Sequence, residues 1–257
     1  KLLPNDTKGY LKRRQDFQKR VNPSKPEEYY TNPNSLPSGV SLETWQKYDA
    51  SYTSDPMETW MARLALRDIE QQNYLTGNSY NWFDAVTSPG LRQNYDANIS
   101  GGIGSTQYYW SLGCTDNEGY LLGDEYKTIR SRINANIKIN DFLTAGVNTQ
   151  FANNDKSAVT VSLWNAIAQS PLATPYDDEG SLKWYPHDDS GIEVNPFLNN
   201  AYRDKLNTIS SLFANIYADM KLPFGFNYKI SYINRFEWEK NYYYDPTLLP
   251  QGDRVGG

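Results

Sequence analysis

Past Gly90 the chain alternates apolar and polar residues with a period of two, the signature of strands with one apolar face. Tyr95, Ala97 and Ile99 alternate with Asp96, Asn98 and Ser100. Tyr108, Trp110, Leu112 and Cys114 alternate with Gln107, Tyr109, Ser111 and Gly113. The third run is the clearest, with Ile129, Ser131, Ile133, Ala135, Ile137 and Ile139 on one face and Arg130, Arg132, Asn134, Asn136 and Lys138 on the other. A fourth runs from Leu143 to Phe151, a fifth from Ser211 to Met220 and a sixth from Phe226 to Tyr232. Each run predicts a strand of about 9–12 residues, close to the 9–11 that cross a bilayer with tilt.

The links between these runs alternate in length. Gly101-Gly102-Ile103-Gly104, Asn140-Asp141 and Leu222-Pro223-Phe224-Gly225 are short, whereas Thr115 to Tyr126 and Asn153 to about Asn207 are long. In an up-and-down sheet every second link lies on the same side, so one side carries tight turns and the other large loops. Bacterial outer-membrane barrels have this asymmetry. A soluble antiparallel sandwich also alternates. Against it stand the cationic residues Arg130, Arg132, Lys138 and Lys229 on the polar face and a loop far longer than compact soluble domains use.

Residues 1–90 have a different character. Pro23, Pro26, Pro33 and Pro37 punctuate an irregular stretch. A helix is predicted from Pro56 to about Tyr74: Asp55 suits the N-cap, Pro56 the first helical position, and Glu58 lies three residues after the cap. Met57, Trp60, Met61 and Leu64 fall on one side at helical spacing. The expected division is therefore a loop and helix region over 1–90 and a partial β-barrel over 91–257.

Composition narrows the functional classes. The 257 residues include 21 Tyr and 7 Trp, amphipathic side chains that gather where water meets an apolar phase, a sugar or another protein. A net charge of −5 argues against a nucleic-acid partner. The basic run Lys12, Arg13, Arg14, Lys19 and Arg20 is expected to be a solvated face. One cysteine, Cys114, excludes an intrachain disulfide, and with the single histidine His187 far away it makes neither a zinc site nor a thiol–imidazole pair. No run of 18 apolar residues predicts a transmembrane helix, which leaves strands untouched. The start at Lys1-Leu2-Leu3-Pro4 and the end at Gly256-Gly257 both look cut, so a fragment of a longer chain is expected.

Two ordered blocks resemble one family. Asn98-Ile99-Ser100-Gly101-Gly102, Thr106 to Gly113 and Asp116-Asn117-Glu118-Gly119 resemble the first barrel hairpins of SusC/RagA-type TonB-dependent outer-membrane proteins. There Cys114 replaces the usual aromatic residue, on the face expected to meet lipid. Leu163 to Asp177, then Asp178-Glu179-Gly180 and Asn195-Pro196, resemble the family's loop after the fourth of these strands. Trp82-Phe83-Asp84-Ala85-Val86 resembles the segment before the first hairpin. The resemblance covers about residues 80–240, and residues 1–75 match less well.

The resemblance implies an all-β, up-and-down transmembrane barrel of about 22 strands, of which this chain holds a part. It implies import of oligosaccharides or peptides across a Gram-negative, Bacteroidetes-type outer membrane. Implied partners are a SusD-like surface lipoprotein, membrane lipid, and TonB acting through a plug domain that is not in this sequence. No cofactor and no enzymatic activity are implied. A porin-type barrel or a soluble carbohydrate-binding β-domain stays open as the alternative, and sequence upstream of Lys1 would separate them.

No catalytic constellation is present. Asp177, Asp178 and Glu179 could hold calcium but read first as a turn. The candidate contacts to substrate or partner are Trp164, Tyr176, Trp184 and Tyr185, with a short helix expected near Ser162–Gln169. The loop's aromatic content predicts that it packs, over the barrel mouth or inward.

Overall fold

A computed structural model describes residues 6–50, 52–191 and 193–256. Lys1–Pro4 and Gly257, on which the expectation of cut ends rests, lie outside them. The chain packs into two compact units, 1–87 with 162–198, and 88–161 with 199–257.

The first unit holds helices α1 (Thr7–Val21), α2 (Leu42–Gln46), α3 (Pro56–Arg63), α4 (Asp68–Thr76), α5 (Trp82–Val86) and α6 (Leu163–Ala168), with 3-10 turns at Glu27–Tyr30 and Pro33–Ser35. Its core gathers Tyr29, Tyr30, Trp45, Trp60, Met61, Leu64 and Leu66. Asp55 caps α3 by accepting the Met57 N–H at 2.8 Å, and Pro56 occupies the first turn. The helix expected to run on to Tyr74 breaks instead at Leu64–Arg67. Ala65 takes a left-handed φ of 51°, and the Arg14 guanidinium covers the freed carbonyls, 2.9 Å from Leu64 O and 2.5 Å from Ala65 O. A cation supplied from α1 thus satisfies helix-end acceptors that would otherwise be unpaired. Arg14 is accordingly not part of a solvated face.

Arg63 is the polar centre of this core. Its guanidinium lies 4.2 Å from the ring centroids of both Tyr29 and Trp45. It also donates to the carbonyls of Tyr29, Trp45 and Gln46 at 3.0–3.3 Å. A planar cation held between aromatic rings and bonded at its rim can be buried without a counter-ion.

The second unit is one antiparallel sheet in the order β1-β2-β3-β4-β5-β6, with each strand paired to its sequence neighbours. The strands are β1 (Leu91–Ile103), β2 (Thr106–Glu118), β3 (Glu125–Lys138), β4 (Leu143–Asp155), β5 (Asp204–Lys221) and β6 (Asn227–Tyr244). This is the up-and-down order expected from the links, and β1 and β6 are its two edges among the described residues. Short helices α7 (Leu198–Tyr202) and α8 (Pro250–Asp253) adjoin the sheet, and Arg203 pairs with Asp245 at 2.7 Å to hold the chain after β6 beside the start of β5. Among the described residues no helix is long and apolar enough to cross a membrane.

The strands are longer than the alternation alone predicts. Gly101, Gly102 and Ile103, expected in a link, belong to β1, and the turn shrinks to Gly104-Ser105 with Gly104 at φ +59°. Gly101 stays in the ladder because the opposite Tyr108 side chain lies over it; a Cβ there would fall 2.7 Å from Tyr108 Oη. At the other end the ladders extend through charged residues that no apolar pattern could reveal. Ser88, Val161 and Asn200 all engage the β2–β3 link or its neighbours, so the segments leading out of the sheet gather at the long-link end.

Candidate functional site

The register sorts the six strands into two chemically distinct faces. On one, successive cross-strand rows read Ile99-Trp110-Ile133-Thr149-Ala214-Asn234, Gly101-Tyr108-Ala135-Val147-Ile216-Tyr232 and Ile103-Thr106-Ile137-Ala145-Ala218-Ile230. Toward the long links the rows Ala97-Leu112-Ser131-Phe151-Leu212-Phe236 and Tyr95-Cys114-Ile129-Asn153-Ser210-Trp238 continue it. Trp110 settles its indole N–H on Ser131 Oγ of the same face at 3.0 Å, and Phe236 and Trp238 stack at 6.1 Å. These large apolar side chains are exposed: Ile133 by 46%, Ile230 by 54%, Tyr232 by 66%. An apolar face this extensive, left open in the chain alone, marks a surface that meets another apolar phase.

One row beyond Cys114 and Ile129 the same face turns ionic. Lys127 lies 3.5 Å from both Asp116 and Glu125, with Asp155 opposite it in the ladder. The change occurs within one row, which draws a border across the sheet on its long-link side.

The opposite face is predominantly polar. Its rows include Asp96-Gly113-Arg130-Ala152-Ser211-Glu237 and Ser100-Tyr109-Asn134-Asn148-Asn215-Ile233. Arg130 donates to Thr115 Oγ1 at 3.2 Å, Tyr217 donates to Asn136 Oδ1, and Lys229 lies 4.3 Å from the Tyr217 ring centroid and 3.6 Å from Asp219. Ile209, Phe213 and Ile233 are large apolar exceptions on this side, Phe213 and Ile233 exposed by 38% and 59%.

The long link carries the residues singled out from sequence. Ser162 caps α6 through the Asn165 N–H at 3.2 Å, where a short helix was expected. Trp164 projects from α6 and is 71% exposed. Tyr176 pairs with Leu182 across a small hairpin and is also exposed. Its turn is held by Asp177 Oδ1, which accepts the N–H groups of Glu179 at 3.0 Å and Ser181 at 2.8 Å, so Asp177 is used as a turn acceptor. Trp184 and Tyr185 follow that hairpin and are half-buried; their carbonyls accept from Asn195 and Asp188. The four aromatics therefore divide into an isolated one on α6 and three on or beside the hairpin.

What ties this link down was not visible in the sequence. The buried Trp82 donates from its indole to Ser170 O at 2.8 Å, Asn73 Nδ2 donates to Leu172 O at 2.8 Å, and the Tyr80 N–H reaches Pro171 O at 2.8 Å. Asn195, in the Asn-Pro pair, donates to Pro175 O at 2.8 Å and Lys183 O at 2.9 Å. The aromatic segment around Trp82 and the Asn-Pro pair were the only local signals; their partners are remote in sequence.

A buried ionisable cluster completes the anchorage. Glu70, fully buried, accepts from Tyr10 Oη at 2.6 Å and from the Arg67 N–H at 2.9 Å. His187 Nε2 lies 3.9 Å from Glu70 Oε1, and Arg67 reaches Asp189 at 3.1 Å. Burial holds the His187 pKa below the usual histidine value, opposed by the Glu70 carboxylate and reinforced by Arg67. Burial and the same carboxylate push the Tyr10 phenol up. Asp189 is held low by the Gly191 N–H and by Arg67. This arrangement locks a loop; no acid, base and nucleophile converge in it.

The fold and its two faces define a class: the wall of an up-and-down antiparallel β-structure with one apolar and one polar side. No family model matches the chain. The chain is 26% identical over 180 residues to a TonB-dependent receptor of Formosa agariphila, covering 67% of this chain and 18% of that protein. A second TonB-dependent receptor of the same organism is 32% identical over 63 residues, 24% of this chain and 6% of that protein. Two solved structures of the RagAB peptide importer, one in a closed-closed state, align with a TM-score of 0.48 at 19% identity, covering 64% and 63% of this chain and 20% of theirs. The chain spans less than a fifth of the first receptor's length. The similarity to the first of these receptors agrees with the resemblance to TonB-dependent outer-membrane proteins that the two motif blocks carry.

Proposed function

We propose that the chain is one segment of the wall of a TonB-dependent nutrient importer in the outer membrane. The carrying observation is the apolar face. From Ile129 in β3 to Ile139, one residue past that strand and bonded through its N–H to Leu143 O, it runs ten residues or about 33 Å at ~3.3 Å each. With the ~40° tilt of barrel strands that is about 25 Å across the membrane, the height of an outer-membrane apolar band. The ionic row at Asp116, Lys127 and Asp155 then falls just outside the hydrocarbon. The apolar face meets lipid, and the polar face lines the lumen.

On this reading the short turns are periplasmic and the long links extracellular. Residues 153–207, with Trp164, Tyr176, Trp184 and Tyr185, serve the contact with a SusD-like surface lipoprotein or line the chamber for an oligosaccharide or peptide. Exposed rigid aromatics are the usual anchors of such contacts. Coupling to TonB comes from a plug outside residues 1–257.

The test uses the full-length protein in cells. Deleting the hairpin tip, residues 177–180, should leave membrane insertion intact while lid co-purification or substrate uptake falls. Normal insertion with both measurements unchanged would remove the loop's role. Failure of the intact protein to reach the outer membrane would remove the importer reading altogether.

A further inference from the structure

The first unit contains a cleft of about 580 Å³ that the loop anchorage does not use. One wall is a stripe of α1, made by Thr7, Lys8, Leu11, Lys12 and Gln15; facing it are Thr31, Asn32 and Ser35. Tyr30, Trp60 and Tyr74 make the floor.

Three features define what fits there. First, the charge is one-sided. The lining contains two lysines and no carboxylate, in a chain whose net charge is −5, and α1 carries six cationic residues against one aspartate. Arg14 is spent on the Leu64 and Ala65 carbonyls, whereas Lys8 and Lys12 are exposed one turn apart. Lys12 has only a 3.8 Å pairing with the exposed Asp16, and Lys8 has no ion pair among the described residues. Second, the floor is aromatic, and two of its three rings are almost closed to solvent. Trp60 and Tyr30 are 5% and 3% exposed, and the Trp60 indole N–H is already given to Tyr30 O at 3.0 Å. A sugar would need an open ring face; an inserted aliphatic side chain needs only an apolar floor. Third, the trough is long. From Thr7 to Gln15 the stripe covers just over two turns, about 12 Å at ~1.5 Å per residue, the length of three or four extended residues.

We infer that this cleft docks an extended acidic segment of a partner protein, with one apolar side chain seated over Trp60 and Tyr74 and flanking carboxylates on Lys8 and Lys12. The inference concerns the first unit alone and holds whether or not the sheet is an importer wall.

The test measures fluorescence anisotropy on the full-length protein with labelled peptides of one central Leu flanked by Glu, by Gln or by Lys. Trigalacturonate is included as an acidic sugar. The Glu peptide should bind best and weaken severalfold between about 50 and 300 mM salt, because rim ion pairs are screened. Lys8→Glu with Lys12→Glu should weaken it about tenfold or more, Lys8→Arg with Lys12→Arg should retain it, and Ser35→Phe, which narrows the opposite rim without altering charge, should also weaken it. The arginine pair serves as the folding control. Equal binding of all three peptides, indifference to the charge reversal, or lysine-dependent binding of trigalacturonate without the Glu peptide would each overturn the inference.

Discussion

Tyr217 on β5 lies across Gly146, its direct partner on β4. A Cβ at that glycine would fall 2.4 Å from Tyr217 Cζ and 2.6 Å from Asn136 Oδ1. The missing side chain is what lets the phenol cross β4 and donate to Asn136 on β3, joining three strands on the polar face. Gly146→Ala should therefore cost about 1–3 kcal/mol through overpacking. In urea unfolding of the full-length protein in lipid vesicles, adding Tyr217→Ser should recover most of that loss. Additive effects of the two changes would show that the residues do not press on each other.

The two faces should respond differently to charge. Ile133→Lys on the apolar face should destabilise by about 2–4 kcal/mol, and Asn134→Lys, one residue along and on the polar face, by much less. The same unfolding experiment gives both values. Equal costs would contradict contact of the apolar face with lipid.

The link over 162–198 should come loose when its buried bonds are removed. Asn73→Ala leaves the Leu172 carbonyl without its donor, a loss of about 1–3 kcal/mol for a buried acceptor. Limited proteolysis should show faster cutting within 162–198 and an unchanged rate at the short turn Gly104-Ser105. Slower or unchanged cutting of the link would show that this bond does not hold it.

Acid should weaken the same anchorage. With its folded pKa below its unfolded value of about 6.5, His187 contributes stability that is complete above pH ~6.5 and is lost as pH falls through the folded pKa. Glu70 and Asp189 oppose the shift, Arg67 and Arg14 favour it, and Asp189 itself, held below the ordinary carboxylate value by the Gly191 N–H and Arg67, titrates in a separate and more acidic window. Proteolysis of the link should accelerate below pH ~6.5 in the native protein, and less so in His187→Gln. A rate that does not change between pH 8 and 5 would place His187 outside the anchorage.

The sheet was legible from residues alone because its information is local. Alternation with period two assigns each side chain to a face, and the order of short and long links assigns each strand its neighbours. Ile133, Ala135 and Ile137 share a face for that reason, with no knowledge of what they touch. The strand ends were less legible. Asp116, Lys127 and Asp155 lie on the apolar face by register but carry charge, so hydrogen-bonded pairing beyond the apolar band leaves no hydropathy signal. The break at Ala65 was hidden too, because Met61 and Leu64 continue a helical stripe; the break depends on Arg14, some fifty residues earlier, covering the carbonyls it frees.

The candidate site divides the same way. Exposure of Trp164 and Tyr176 is a property of the loop itself, and the Asp177 turn is encoded by the residues that form it. The burial of Glu70 beside Tyr10 and His187, and the anchoring of Ser170, Pro171 and Leu172 by Trp82, Tyr80 and Asn73, join segments up to a hundred or more residues apart. Sequence by itself determined the elements and their faces, since those follow from spacing along the backbone. Only the tertiary structure decided that 162–198 packs with 1–87, because that grouping is made by buried hydrogen bonds whose partners no local pattern can name.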